Sequence, residues 1–233
     1  MLLGLSSPSN EMVVMNSFSL KRVGWLFKKH YSESRNSYLA LAFMLLGMPF
    51  LFAIVGAGGE SAVTTFKSVV PAALVYIMHI TVGSLRDKHR NIVEFTTPVS
   101  VGERYAFIWL NTTVLFAIYV AICYVVSLTI THLVFPINEG FEWVMKGVFG
   151  SSRTYFGLVC IQAVVLVVNL ASQKRLVLNY IVALGLWVLG QWLISEYVPS
   201  FYRLDALLWV NVVIVVAGWV SGYFILRNRQ IRV

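Results

Sequence analysis

The sequence predicts an all-α integral membrane protein: six transmembrane helices with N- and C-termini cytoplasmic, preceded by an N-terminal amphipathic interfacial helix. Three observations predict it. The 233 residues are 58% hydrophobic with a mean hydropathy of +0.77, and only 12% are charged, about half the charged share of a soluble domain. Apolar runs recur at close to the roughly 20 residues a helix needs to cross a bilayer. Finally, Lys and Arg collect on one side of those runs.

The runs lie at about 38–56, 69–85, 105–128, 155–171, 176–194 and 206–226. Gly47 and Pro49 in the first, and Pro71 in the second, are expected points of bending. Only residues 172–175, SQKR, join the fourth run to the fifth, which requires an antiparallel helical hairpin. No repeat relates the two halves, so an inverted-repeat carrier gains no support. With the N-terminus inside, the inner segments hold 14 of the 18 Lys and Arg, and the outer ones hold Lys67, Lys146, Arg153 and Arg203. Cytoplasmic loops carry such an excess. The net charge of +8 therefore hugs the inner surface, where anionic lipids attract it, and does not indicate nucleic acid.

Residues 1–17 read as a flexible N-terminus. Within it, 1–14 are too short and lack the basic leader of a signal peptide; they are flexible or an artefact of start-site choice, and Met15 opens a more natural segment. Residues 18–35, FSLKRVGWLFKKHYSESR, form an amphipathic helix along the membrane. Leu20, Val23, Gly24, Phe27 and Tyr31 share one face, Lys21, Arg22, Lys28 and Lys29 the other, and Trp25 and Leu26 sit off the stripe. Such a helix is either an anchor or a lever on the first span. The six-helix domain occupies 36–226, and 227–233 form a basic cytoplasmic tail. On the outer side, Ile137, Phe141, Val144, Met145 and Val148 repeat at helical spacing and predict a short interfacial helix. Residues 195–205 connect the last two spans, with Tyr197, Phe201 and Tyr202 suited to the interface and Pro199 breaking any helix.

Between the second and third runs lies the polar segment 86–104, carrying Arg86, Asp87, Lys88, Arg90, Glu94, Glu103 and Arg104. A connecting loop needs far fewer residues, as 172–175 shows. Ile92, Val93 and Phe95 stand among the charges, and Pro98 ends any helix there. Ser100 followed by Glu103 is the spacing of a capping box at the entry to the third span. An apolar knob ringed by charge at the membrane's inner edge is what docking a soluble partner requires.

Chemistry is scarce. The chain has no G-x-x-x-x-G-K-[ST] and no H-E-x-x-H, and GAGGE at 56–60 lacks the lysine of a phosphate loop. His30, His79, His89 and His132 are scattered, and Cys123 and Cys160 lie inside spans as small packing residues, so no metal site is expected. Polar groups within spans are His79, Thr81, Asn111, Thr112, Thr113, Gln162, Asn169, Gln191 and Asn211. His79, Asn111, Gln162, Asn169, Gln191 and Asn211 are candidates for lining a path, or else interhelical glue. Coupled carriers need buried charge near the midplane, and His79 is the one titratable candidate.

This layout resembles the membrane-spanning permease subunits of type-2 ABC exporters, bacterial members from the Bacteroidetes in particular. TPVSVGERY at 97–105, with Pro98, Ser100 and Glu103 in step, is similar to the family's P-[VA]-S-x-x-E turn before the third span, and the stretch from Phe18 resembles its connecting helix. The resemblance implies that 86–104 is a coupling segment docking on a separate ATP-binding subunit, two copies per complex, beside a second permease protomer. The docking residues would be Arg86, Asp87, Lys88, Arg90, Glu94, Phe95, Pro98, Ser100, Glu103 and Arg104; the membrane-surface residues would be Lys21, Arg22, Phe27, Lys28 and Lys29. No cofactor is expected in this chain, ATP and Mg being bound by the partner, and the location would be the bacterial inner membrane. One departure stands out: eleven residues between the fifth and sixth spans leave little room for the short re-entrant helices the family often carries there. A membrane-embedded accessory subunit and a small secondary carrier are the alternatives.

Overall fold

The computed structural model of the protein describes residues 18–55, 59–86, 99–134, 152–172 and 175–231. Among these residues the structure is almost entirely helical, without a strand. Helix α1 spans Leu20–Glu33, α2 Arg35–Val55, α3 Gly59–Arg86 and α4 Val101–Trp109. A π-helical segment, Leu110–Leu115, joins α4 to α5, Phe116–Val134. Helices α6, Ser152–Ala171, α7, Leu176–Tyr197, and α8, Ser200–Ile231, complete the bundle.

Among the described residues, five helical stretches are long and apolar enough to cross a membrane: Arg35–Phe52, Thr65–Gly83, Val101–Ser127, Leu176–Tyr197 and Leu204–Arg229. The fourth expected span, 155–171, is present as α6, but its apolar stretch Phe156–Ala171 is shorter. These helices fit a multi-pass membrane protein. Helix α3 begins ten residues before the expected 69, because apolarity marks the membrane-crossing part of a helix and not its ends. At 28 residues, α3 rises about 42 Å, well beyond a hydrocarbon core of about 30 Å. Pro49 and Pro71 both lie inside helices, as expected.

The two short connections follow local chemistry. Arg175 takes the left-handed conformation, φ 55°, which turns the chain at the α6–α7 hairpin; the Asn179 side-chain amide then donates to Ser172 Oγ across it at 2.6 Å. Before Pro199 the backbone is biased to extended geometry, and Val198 adopts φ −89°, ψ 129°, ending α7. Helix α8 restarts immediately, so of the expected eleven-residue connection 195–205 only Val198 and Pro199 are non-helical. The expected tail from 227 likewise continues as helix to Ile231, and Arg229 Nη1 donates to Leu85 O at 3.3 Å.

Helix α2 packs along α3 and α5, α3 on α6, and α6 on α8, while α1 lies against α4. Among the described residues three apolar cores result, a small one joining Cys160, Ala163 and Val215 and two larger ones. One joins Leu41, Leu45, Phe66, Leu74, Phe116 and Tyr124; the other joins Val23, Leu26, Met78, Phe107, Leu166 and Leu226 at the end of the bundle that carries α1. Lipid tails are as apolar as leucine, so close packing and hydrogen bonds, more than the hydrophobic effect, hold spans together. The α6–α8 contact illustrates this. A Cβ at Gly218 would stand 3.0 Å from Ala163 Cβ and 3.2 Å from its carbonyl oxygen, and one at Gly222 would stand 3.1 Å from Leu166 Cδ2. Helix α7 buries no residue at all and presents Leu178, Ile181, Leu186, Leu189 and Trp192 outward.

Helix α1 packs on the bundle through part of the expected stripe, and the rest of that stripe faces outward. Val23 and Leu26 are buried, with Phe27 and His30 half-buried beside them, whereas Leu20, Trp25 and Tyr31 are exposed, Trp25 at 80%. The contact stripe 23–26–27–30 has helical spacing, but it is chosen by what α4 offers, as described next. The expected interfacial helix around 137–148, the flexible segment 1–17 and the body of the docking segment, 87–98, lie outside the described residues.

Candidate functional site

The entry to the third span is organised by one carboxylate. Ser100 is extended and caps α4: its Oγ accepts from Glu103 N at 3.2 Å, while Glu103 Oε2 accepts from Ser100 N at 2.9 Å. The capping box read from the sequence therefore forms. The same carboxylate also serves α1. Glu103 Oε1 accepts from Ser19 N, the N-cap amide of α1, at 2.5 Å. Arg22, in the first turn of α1, donates from Nε to both carboxylate oxygens at 3.0 Å and from Nη2 to Oε1 at 2.7 Å.

Glu103 is fully buried and the Arg22 side chain is 28% exposed. A buried carboxylate is costly unless it is paired and hydrogen-bonded, and here four donor groups converge on it. Two helix N-termini, each positive by its peptide dipoles, share this one negative group. That placement also offsets the dipole's disfavour of Lys21 and Arg22 in the first turn of α1. The Arg22 guanidinium has its pKa raised, chiefly by the hydrogen bond to Glu103, with burial opposing and the through-space attraction adding. Next to the fork Phe27 meets Phe107 edge-on at 4.8 Å, and His30 meets Phe107 at 5.3 Å. The 23–26–27–30 face of α1 is thus set by a long-range anchor.

Deeper in the bundle a belt of uncharged polar groups ties the spans. Asn111 Nδ2 donates to Thr81 Oγ1 at 2.8 Å, and Tyr38 OH donates to Asn111 Oδ1 at 3.0 Å, joining α2, α3 and the π segment. Thr112 Oγ1 accepts from Gln162 Nε2 at 3.2 Å, and Trp219 Nε1 donates to Gln162 Oε1 at 2.8 Å, joining the π segment, α6 and α8. Asn169 donates to Val165 O at 3.0 Å and to the Tyr180 hydroxyl. Gln191 Nε2 and Trp187 Nε1 donate to Asn211 Oδ1 at 2.9 and 3.2 Å. The candidate path residues Asn111, Gln162, Asn169, Gln191 and Asn211 are therefore all engaged with neighbours in the bundle. Asn111, Gln162 and Asn169 are buried. His79 lies on the wall of a cavity near α1.

Of the expected docking residues, the structure brings Ser100, Glu103 and Arg104 together at the start of α4. Glu103 and Arg104 face inward, Arg104 at 3% exposure. Glu103 is committed to α1, which makes it a joint inside the chain and removes it from any outward-facing surface. Arg86 is the last residue of α3, with its backbone alone described, and Asp87, Lys88, Arg90, Glu94, Phe95 and Pro98 lie outside the described residues. Of the surface-helix residues, Lys21 and Lys28 are exposed, Lys29 is half-buried, Phe27 packs on Phe107 and Arg22 forms the fork.

Sequence reasoning missed the Arg22–Glu103 pair, whose members are 81 residues apart, and the hydrogen-bonding roles of Tyr38 and Trp219. It also passed over GWVSG at 218–222, whose G-x-x-x-G spacing signals the close α6–α8 approach. Among the described residues no cluster of His, Cys, Asp and Glu could hold a metal ion, and both buried cysteines are free thiols. Comparisons with known protein families, curated proteins and solved structures find no match to this chain.

Proposed function

We propose that this chain is the permease subunit of an ATP-driven exporter of the type-2 ABC kind. In this reading α6 is the fourth of six spans, both termini face the cytoplasm and the protein resides in the bacterial inner membrane. It pairs with a second permease protomer and docks, through 86–104, on separate ATP-binding subunits that carry ATP and Mg. The chain itself performs no chemistry; its task is to turn a push from the ATPase into movement of helices.

One observation carries this reading beyond the resemblance in TPVSVGERY: the fork at Glu103. The docking segment enters α4 through Ser100 and Glu103, and the same carboxylate clamps the first turn of α1. Displacing the end of that segment therefore displaces α1 and α4 together. Helix α1 runs through the single turn residue Ser34 into α2. A force applied at 87–98 would thus reach the first and third spans at once, which suits a lever better than a passive anchor.

The test is affinity purification in mild detergent with identification of co-purifying chains. A stoichiometric P-loop ATPase is expected, and it should be lost when 87–98 is replaced by a neutral linker that keeps the Ser100–Glu103 cap. A homomeric preparation with no ATPase would overturn the proposal. Orientation has its own check. A membrane-impermeant maleimide applied to intact cells should label a cysteine placed at Lys67 and spare one placed at Asn228.

A further inference from the structure

Between α1, the start of α2, the end of α3 and α4 lies a cavity of about 290 Å³. Its walls combine two chemistries. Lys29, His30, His79 and Arg104 bring basic groups from three helices, with the hydroxyls of Ser37 and Thr81 between them. Leu26, Phe107 and Ile108 form an apolar side, and among the described residues the one acidic group at the lining, Glu33, belongs to an exposed residue. In a chain with 12% charged residues, this convergence of basic groups adjoins the uncharged belt at Thr81. Arg104 stands in the wall at 3% exposure, where a guanidinium acts on an anion through a lower dielectric than water.

We propose that this cavity binds a phosphate-bearing anion, with the headgroup of an anionic phospholipid as its source. The volume suits a phosphate with its glycerol, and the polar-to-apolar division of the walls matches the junction of headgroup and acyl chain. Arg and Lys together offer the forked and point-charge donors that phosphate oxygens accept, with hydroxyls completing the shell. Basic pockets between transmembrane helices commonly hold such headgroups. Because α1 and α4 form two of the walls, an occupant would brace the same pair of helices that Glu103 joins. The inference stands whether or not the chain transports anything.

The test uses the full chain purified in mild detergent and stripped of lipid. Native mass spectrometry and thermal stabilisation would be followed on adding phosphatidylglycerol, phosphatidylcholine or inorganic phosphate. Lys29→Gln and Arg104→Gln alter the cavity; Lys28→Gln removes the same charge from the neighbouring exposed position and is the control. Phosphatidylglycerol should bind and stabilise, phosphatidylcholine should not, and Lys29→Gln should weaken binding about tenfold while Lys28→Gln leaves it unchanged. Arg104→Gln should abolish binding if it folds, and Lys29→Gln decides the matter if it does not. Inorganic phosphate binding with the same Lys29 dependence, without phosphatidylglycerol binding, would identify a free phosphate as the source and overturn the lipid assignment. No binding by either anion, or equal weakening by Lys28→Gln and Lys29→Gln, would overturn the site itself.

Discussion

Replacing Glu103 by Gln isolates the charge of the fork from its shape. Glutamine keeps the length of the side chain and can still close the capping box from its amide oxygen. It loses one of the two acceptor oxygens and turns an NH₂ toward the guanidinium of Arg22, now 2.7 Å away from an oxygen. The N-cap amide Ser19 N and the Arg22 fork then compete for a neutral acceptor. Breaking a buried ion pair from one side costs about 3–5 kcal/mol. Arg22 is 28% exposed and can turn to water, so the loss should fall near 3 kcal/mol on that scale. Ser100→Ala removes only the cap hydroxyl and should cost about 1 kcal/mol. Reversible unfolding of the purified protein in mixed micelles, by increasing mole fraction of SDS, would compare the two. Arg22→Met alone and combined with Glu103→Gln completes the cycle, and the double variant should lose clearly less than the two single losses added. Glu103→Gln losing no more than Ser100→Ala, or strict additivity of the pair, would refute the fork as a tie between α1 and α4.

The remaining expectations concern the spans. Gly218→Val drives a branched side chain against Ala163 and should destabilise by about 1–3 kcal/mol, whereas Gly185→Ala on α7, where nothing lies within 4 Å, should be neutral or slightly stabilising; the same titration reads both. Gln162→Leu cuts the link between Thr112 and Trp219 and should cost between about 0.6 and 1.7 kcal/mol, the usual worth of interhelical hydrogen bonds in membranes. Cys123 and Cys160, both buried free thiols, should resist maleimide in the folded protein and react on denaturation, as followed by mass shift.

Features governed by neighbours in sequence were legible before the structure. Ser100 and Glu103 are three residues apart and form their box because both partners belong to one turn. Pro199 stops α7, and four residues between apolar runs force the α6–α7 hairpin, for reasons equally local. Helix ends were less legible. The start of α3 from Gly59 and the end of α8 to Ile231 are helical beyond the apolar runs at 69–85 and 206–226. How α1 is rotated against the bundle was not legible for a physical reason: Leu20 and Tyr31 belong to the apolar stripe and stay exposed, while Glu103, 81 residues away from Arg22, fixes the helix's rotation by gripping its first turn. The amide-bearing residues were visible as polar groups in apolar runs, and their partners were not, since Tyr38, Thr81 and Trp219 look like ordinary span residues.

The π segment has a consequence for the third span's phase. Below it α4 buries Glu103, Arg104, Phe107 and Ile108; above it α5 buries Phe116, Cys123, Tyr124 and Ser127. At about 100° per residue, an unbroken α-helix would set these two stripes roughly 170° apart, on opposite sides. A turn that absorbs one additional residue takes back about 100° and brings both stripes toward the bundle. Residues 101–134 thus carry one residue more than a straight α-helix in register would need, and Leu110–Leu115 is where the surplus is stored. Removing exposed Val114 would convert the segment to ordinary helix with its inward faces still aligned. Removing exposed Ile122 would roll Cys123, Tyr124 and Ser127 out toward lipid. Length is negotiable at this one turn of the span and rigid on either side of it.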